Sequence, residues 1–123
     1  MTTILLRLSL AFLIVLVLFP TASRAQSQSE MNLQAEADFD KSDAQLNVVY
    51  QKLIKKLDAT SAEKLKVSQR AWLAFRDGQA DFFADLVARD GSMYRQIYAG
   101  IRKDITDKRI ADFQDTMEEY TDK

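Results

Sequence analysis

The 123-residue chain contains no cysteine and no histidine, and it has only one proline and three glycines. It therefore lacks the thiol nucleophile, the commonest general base at neutral pH and the usual zinc ligands. The disulfides that hold many small exported domains together are also excluded. These absences argue against catalysis by a thiol or an imidazole, and they mean that the fold is held by packing and polar contacts alone.

Carboxylates are plentiful, so composition leaves a calcium site or an acid pair open. The segment Asp38-Phe39-Asp40 lacks the glycine turn and the terminal glutamate of an EF-hand loop and has the pattern of a helix. We therefore predict no metal, no cofactor and no catalytic residue. A hydrolase that uses paired carboxylates ranks below a binding function.

An apolar run near the amino terminus indicates export. Residues Leu8 to Phe19 follow Arg7, carry no charge and are apolar except for Ser9. Shortly afterwards comes Ser23-Arg24-Ala25, which has the small-x-small form that signal peptidase requires. The run is shorter than the roughly 20 residues of a spanning helix, so a cleaved signal peptide is favoured over an uncleaved anchor. We predict a signal peptide over residues 1–25 and a periplasmic or secreted protein with no stable membrane anchor after cleavage.

Cleavage after Ala25 would leave one small, mildly acidic domain. It removes Arg7 and Arg24, so that 15 basic residues remain against 18 acidic ones and the net charge moves from −1 to −3. Basic and acidic residues are interleaved and form no concentrated basic face, which argues against nucleic acid as a partner. A domain of this charge suits a cationic protein partner.

Three stretches have the apolar spacing of helices. In the first, apolar or small residues recur at three- and four-residue steps, namely Ala35, Phe39, Ser42, Leu46, Val49, Leu53 and Leu57. This pattern predicts a long helix from about Glu30 to Leu57 after a polar tail over residues 26–29. Thr60 and Glu63 have the spacing of a capping box, which predicts a second, antiparallel helix after a short loop.

The second and third helical stretches follow the same spacing. The second apolar face comprises Leu65, Ser68, Trp72, Phe75, Phe82 and Leu86. The third comprises Ile101, Ile105, Arg109, Phe113, Met117 and Tyr120. Between these two stretches, Gly91 is expected to take the left-handed conformation that ends a helix. We predict that residues 93–100 form a short helix or an ordered loop. We therefore predict an all-α fold, a small antiparallel bundle of three long helices with a short helix or ordered loop before the last.

Gly78 lies inside the second helical stretch. A glycine there costs the helix about 1 kcal/mol relative to alanine, which weakens the prediction of one straight helix. A residue without a side chain would also let another helix approach closely.

Two arginines lie on or beside these apolar faces. Arg109 belongs to the third face, and Arg76 follows Trp72 by one turn. Because a buried guanidinium is costly without a partner, each is expected to meet a carboxylate or a cluster of carbonyl oxygens. Asp43 is the partner we favour. It begins a row at i, i+4 and i+7 beside the first apolar face, which comprises Asp43, Asn47 and Tyr50.

Four segments follow one another after the leader. They are Glu30-Met31-Asn32, Asp43-Ala44-Gln45-Leu46-Asn47-Val48-Val49-Tyr50, Gln69-Arg70-Ala71-Trp72-Leu73-Ala74-Phe75-Arg76-Asp77 and Thr106-Asp107-Lys108-Arg109-Ile110-Ala111-Asp112-Phe113. In this order and spacing they resemble the lysozyme inhibitor LprI-like family of small exported helical proteins. The resemblance implies one helical domain over residues 30–123 that binds protein partners, with inhibition of lysozyme as the family's named activity.

The chain departs from this family in its cysteines. Members usually carry them near the early Met-Asn, just after the Arg-Asp pair and before the last helix. Other residues stand in those neighbourhoods here, namely Leu33-Gln34-Ala35, Gly78-Gln79-Ala80 and Ala99-Gly100-Ile101. The resemblance therefore implies the family's fold without its disulfides.

The sequence contains two sets of residues that could contact a partner. The first set carries the family resemblance, and we expect its members to be structural rather than to form a recognition surface. They are Asp43, Leu46, Asn47, Tyr50, Gln69, Arg70, Trp72, Arg76, Asp77 and Arg109. The second set contains Asp90, Ser92 and Tyr94, which we predict to bind the partner because loops on a rigid scaffold commonly carry binding residues. An ordinary helix terminator is the alternative for this segment.

These observations lead to one expected function and one alternative. We expect an exported domain that masks the substrate cleft of a basic lysozyme. Because such an enzyme is cationic around a cleft with catalytic carboxylates, an acidic domain would be steered to it while one loop enters the cleft. The alternative is a non-inhibitory periplasmic adaptor or scaffold that binds an envelope protein.

Overall fold

The computed structural model of the protein describes the main chain of residues 23–120, with side chains from residue 27 onward. Almost all of this range is helical, in α1 (Ser23–Lys56), α2 (Ala59–Ala88) and α3 (Tyr94–Tyr120). The described residues contain no strand, which confirms the predicted all-α class. The predicted signal peptide lies almost entirely outside the described residues, and α1 begins before the predicted start near Glu30.

α1 and α3 run in the same direction and pack together along most of their length. Ser42 donates a 2.6 Å hydrogen bond to Asp107, and further along both helices the rings of Tyr50 and Phe113 lie 6.2 Å apart. The predicted apolar face of α1 is confirmed at its centre. Its buried residues are Phe39, Ser42, Leu46, Val49 and Leu53.

α2 returns in the opposite direction and packs mainly against α3. Gln69 in its first half accepts a hydrogen bond from Arg109, and Asp81 in its second half accepts one from Tyr94. This order of contacts makes α2 antiparallel to α3. The backbones of α1 and α2 approach each other closely in few places, so the bundle is open on the side between them.

The hydrophobic core lies in the half of the bundle next to the α1–α2 turn. Its buried members are Leu46, Val49, Leu53 and Phe113. Partly buried side chains surround them, namely Tyr50, Leu57, Leu65, Trp72, Ile110 and Met117. Full burial of one such apolar side chain contributes about 1.5–3 kcal/mol, so this cluster is a major source of stability in a chain without disulfides.

Asp58 caps α2, and the predicted capping box of Thr60 and Glu63 is wrong. The Asp58 carboxylate accepts hydrogen bonds of 2.9 Å from both the backbone N–H and the hydroxyl of Ser61. These bonds hold the pKa of Asp58 below its ordinary value of 3.8. The helix begins at Ala59, which places Thr60 inside the first turn where its side chain no longer has the cap position.

The buried face of α2 differs from the predicted one. It consists of Gln69, Arg76, Ala80 and Ala84. Three large residues of the predicted apolar face are exposed, namely Phe75, Phe82 and Leu86. Small alanines allow α2 to lie close to its neighbours, whereas aromatic rings at the same positions would hold the helices apart. Gly78 does not interrupt α2, which is continuous from Ala59 to Ala88.

The connection between α2 and α3 is shorter than predicted. The ordered loop occupies residues 89–93, and residues 94–100 form the first turns of α3 rather than a separate element. The left-handed residue is Asp90, with φ of 57°, and not Gly91. The Gly91 N–H donates a 2.9 Å hydrogen bond to the last carbonyl of α2, which closes that helix.

Candidate functional site

Arg76 of α2 connects all three helices. Its side chain is 5% exposed. Nη1 donates to Asp43 Oδ1 of α1 at 2.8 Å and to Thr106 Oγ1 of α3 at 3.4 Å, and Nε donates to Asp77 Oδ1 at 2.9 Å. The predicted pairing with Asp43 is therefore confirmed. Two carboxylates and a hydroxyl offset the cost of burying the guanidinium and fix how the helices align.

Arg102 of α3 joins this network, although the sequence analysis did not select it. Its Nε donates to Asp77 Oδ1 at 3.1 Å, and its guanidinium carbon lies 3.8 Å from the ring centroid of Phe39 and 5.0 Å from that of Tyr98. Asp77 thus binds two arginines at once. The i, i+4 spacing of Tyr98 and Arg102 was the signal in the sequence, because it places an aromatic ring beside a cation on one helix face.

Arg109 has no carboxylate partner within ion-pair distance among residues 27–120. Of the two kinds of partner predicted for it, a carboxylate or a cluster of carbonyl oxygens, it meets a single carbonyl oxygen and a hydroxyl. Nε donates to Gln69 Oε1 at 3.2 Å, and Nη2 donates to Ser68 Oγ at 3.3 Å. The guanidinium carbon also lies 4.5 Å from the Phe113 ring and 5.4 Å from the Trp72 ring. Burial lowers the pKa of Arg109. Its burial is only partial, so neutral oxygens and two rings suffice in place of a counter-ion.

A groove of about 360 Å³ lies between α1 and α2. Its lining, which we call the interhelical groove, comprises Asp43, Leu46, Asn47, Tyr50, Lys66, Gln69, Arg70, Leu73 and Arg76. Seven of the ten residues selected for the family resemblance therefore share one surface, whereas Trp72, Asp77 and Arg109 do not line it. The volume falls in the range of pockets that hold small ligands or single side chains.

The interhelical groove combines a polar floor with a charged rim. Arg76 and Gln69 are buried at its base, and Lys66 and Arg70 on α2 are exposed. Lys66 and Leu73 were not selected from the sequence, because both lie off the predicted apolar face. The arrangement suits an acidic side chain with an apolar stem.

We call the other candidate region the loop end and define it as residues 89–93 together with the neighbouring helix residues Asp81, Asp85, Tyr94 and Arg95. It encloses a recess of about 510 Å³ lined by Asp81, Asp85, Asp90, Gly91, Tyr94 and Arg95. Two of the three residues predicted to bind a partner, Asp90 and Tyr94, share this recess. Ser92 does not line it, and it is exposed on the adjoining loop surface.

Two contacts with α1 hold the loop end in place. Asn32 Nδ2 donates a 3.0 Å hydrogen bond to the backbone carbonyl of Ser92. Arg95 forms a two-pronged pair with Glu36, with donor–acceptor distances of 2.8 and 2.9 Å. Because the loop is tied to a helix remote in sequence, its exposed groups are presented in one orientation.

Acidic groups dominate the recess. The Tyr94 hydroxyl donates to the Asp81 carboxylate, and this hydrogen bond raises the pKa of Tyr94 to about 12. Arg89 Nε donates to Asp85 at 3.0 Å, and the hydrogen bonds from Arg89 lower the pKa of Asp85. Asp90 is exposed and adds a third carboxylate. The loop end therefore offers a negative surface to a cationic partner.

The described residues contain neither a group of metal-binding side chains nor a helix that could span a membrane. No group of three acidic side chains within residues 27–120 is arranged to hold a metal ion. Of the three helices that the structure describes, none has an apolar stretch long enough to cross a membrane.

Comparison with known proteins agrees with the motifs. The family model described as lysozyme inhibitor LprI matches residues 20–113. An uncharacterized protein of Rhizobium meliloti (strain 1021) is 34% identical in an alignment 96 residues long, and the match covers 68% of this chain and 68% of that relative. No solved structure matches the chain. The family match covers the four segments, α1, α2 and α3 as far as Phe113, so the chain belongs to the lysozyme inhibitor LprI family.

Proposed function

We propose that the protein is an exported helical domain that binds a basic lysozyme and inhibits it by covering the substrate cleft. The observation that carries this proposal is the match of residues 20–113 to a family whose description is lysozyme inhibitor. That description names an inhibitor and not an enzyme. The substrate of the enzyme and the protein would then compete for one cleft.

The loop end is the proposed contact surface. Asp90 and Ser92 are exposed at one extremity of the bundle, and Asn32 and Tyr94 anchor the loop that carries them. A loop already held in its bound shape loses little conformational entropy on binding. Its carboxylates would meet the positive surface around a lysozyme cleft, which favours rapid encounter at low salt.

Export supports the same function, because lysozymes act on the cell wall. Residues 1–25 have the apolar run and the Ser23-Arg24-Ala25 site of a signal peptide. We infer a periplasmic or secreted location for the rest of the chain. Sequencing the amino terminus of the protein recovered from a bacterial periplasm tests this, with Gln26 as the expected first residue.

A cell-wall lysis assay tests inhibition. The protein is purified after expression of the whole chain. A basic animal lysozyme then digests a bacterial cell-wall suspension in the presence of increasing amounts of the purified protein. We expect dose-dependent protection that saturates near one protein per enzyme and weakens as salt is raised from about 20 to 200 mM. No protection at a large molar excess of folded protein would reject inhibition of this lysozyme type.

Matched variants locate the contact. We expect Asp90→Asn and Ser92→Ala each to weaken inhibition at least about fivefold, because each removes an exposed polar group from the loop end. Asp104→Asn is the control, since it removes one exposed carboxylate from α3 outside the loop end. Equal effects of Asp90→Asn and Asp104→Asn would show that only net charge matters and would remove the loop end as the contact.

The interhelical groove favours a second candidate function, that of an adaptor for an envelope protein. Its nine lining residues include most of those that define the family resemblance, and exposed Arg70 adds a cation beside an apolar wall. An Arg70→Glu variant separates the two functions. The adaptor function predicts that neither the natural protein nor Arg70→Glu inhibits lysozyme and that binding of the envelope protein is lost in the variant. The inhibitor function through the loop end predicts equal inhibition by the natural protein and by Arg70→Glu.

A further inference from the structure

α2 carries an apolar face that no other part of the described chain covers. All of its members are exposed, and they are Val67, Ala71, Ala74, Phe75, Gly78, Phe82 and Leu86. We call this the outer α2 face, since it lies opposite the buried side that holds Arg76 and Ala80. Asp77 and Asp81 of the same stretch are directed elsewhere, because Asp77 binds Arg76 and Asp81 binds Tyr94.

Gly78 at the centre of this face has no role in packing within the described chain. A Cβ atom added there would meet nothing within 4 Å, and no turn or positive φ requires a glycine. Such a residue disfavours a helix relative to alanine, so the position gains nothing from its own bundle. With Ala71 and Ala74 beside it, Gly78 leaves the middle of the face low enough for a second helix to approach closely.

We propose that the outer α2 face is the two-fold interface of a homodimer in which the two α2 helices pack antiparallel. With the axis near Phe75, the two Phe75 rings meet, and Ala71 of one protomer lies level with Gly78 of its partner. The ends favour the antiparallel direction. Lys64 of one protomer comes level with Asp85 of its partner, which it can contact in addition to that residue's own pair with Arg89, whereas parallel helices would bring the two Asp85 side chains together.

The exposed area is enough for a weak dimer. A phenylalanine side chain presents roughly 200 Å² when free, so Phe75 and Phe82, at 56% and 58% exposed, offer about 110 Å² each. Val67, Leu86 and the small residues between them raise the total to about 500 Å² per protomer, or roughly 1,000 Å² for the pair. That is the lower limit for a specific interface, and it predicts dissociation in the micromolar range.

Sedimentation equilibrium tests the dimer. The protein is purified after expression of the whole chain and is measured from about 1 µM to 500 µM. We expect a reversible monomer–dimer equilibrium for the natural protein. Phe82→Glu should raise the dissociation constant at least about tenfold, because it buries a charge at the interface. Leu33→Glu is the matched control, since Leu33 is 60% exposed on α1 and lies outside the face, and it should leave the constant unchanged.

Gly78→Leu separates the interface from folding. Leucine is a better helix former than glycine and meets no atom of its own bundle, so the monomer should melt at a higher temperature. The same side chain should hold the two helices apart and weaken the dimer at least about tenfold. A loss of dimer together with a raised melting temperature cannot come from misfolding.

Cross-linking tests the antiparallel arrangement. The chain has no cysteine, so one introduced at Ala74 can form a disulfide only between two protomers. Ala74 lies beside the proposed axis and Leu86 lies far from it, so mild oxidation should convert most of the Ala74→Cys protein to a covalent dimer and leave Leu86→Cys and Val48→Cys largely monomeric. Parallel helices would cross-link Leu86→Cys as well. A natural protein that stays monomeric to 500 µM, or equal effects of Phe82→Glu and Leu33→Glu, would overturn the proposal and leave the lysozyme assay unaffected.

Discussion

At the scale of single residues, the buried guanidinium of Arg76 organises the molecule. Because burying a charge is costly, Arg76 was expected to need a carboxylate, and the spacing of residues on the first helix favoured Asp43. Arg109 meets no carboxylate among the described residues, because its side chain is only partly buried and needs no counter-ion. Amide and hydroxyl oxygens on a neighbouring helix were enough for a partly exposed guanidinium, and no local pattern marks them.

Asp43→Ala tests the importance of the Arg76 network. We expect it to lower the free energy of unfolding by about 2 kcal/mol, less than the full cost of breaking a buried pair, because Asp77 still binds Arg76 and Asp43 is itself partly exposed. Urea unfolding followed by circular dichroism measures the change. Asp38→Ala is the control, since Asp38 pairs with Lys41 on the surface at 3.8 Å, and we expect a change below about 0.5 kcal/mol. Equal losses for both variants would contradict the account.

Trp72→Ala tests how much the tryptophan side chain beside Arg76 contributes to stability. Trp72 packs against the core and lies beside the guanidinium groups of Arg76 and Arg109, with 5.4 Å between each group and the ring. We expect destabilisation by about 3 kcal/mol, at the lower end for a large aromatic side chain because part of the ring remains exposed. Thermal unfolding measures it. A variant that melts like the natural protein would show that the tryptophan contributes little to the core.

At the scale of elements, the sequence predicted the three helices well and their buried faces unequally. On α1 the apolar residues are the buried ones, since this helix packs along its length on α3. On α2 the apolar residues divide between two sides of the helix. The buried side contains polar and small residues, Arg76 and Ala80 among them, which an apolar pattern does not select.

Helix ends were the least predictable features of the elements. Glycine was expected in the left-handed position after α2, yet Asp90 occupies it. Aspartate tolerates this conformation better than most residues, so sequence preference alone did not distinguish the two neighbours. At the start of α2 the choice between Asp58 and Thr60 depended on a shift of two residues in the helix start, which no periodic pattern resolves.

Asp58→Ala tests the assigned cap. We expect the melting temperature at pH 7 to fall by a few degrees, whereas Thr60→Ala should leave it nearly unchanged. Because folding holds the pKa of Asp58 below 3.8, the cap contributes fully above that value and its contribution is lost as pH falls through the lower, folded-state pKa. The difference between the natural protein and Asp58→Ala should therefore shrink below about pH 4. A larger effect of Thr60→Ala would restore the capping box.

At the scale of the whole molecule, the bundle is held without disulfides and is open on one side. A core cluster stabilises one half, and arginines that bridge helices and lie against aromatic rings continue the contacts toward the other. The interhelical groove lies on the open side, between α1 and α2, and the anchored loop end lies at one extremity of the bundle. The motif residues could be found in the sequence, but their assembly into one groove required the relative placement of two helices.

The central claim is that this small acidic bundle binds a lysozyme at its substrate cleft. The most direct test is isothermal titration of a basic lysozyme with the purified protein, alone and with a soluble cell-wall oligosaccharide that fills the cleft. We predict one protein bound per enzyme, with an apparent affinity that falls in proportion to oligosaccharide concentration. Absence of binding, or an affinity that the oligosaccharide leaves unchanged, would contradict the account.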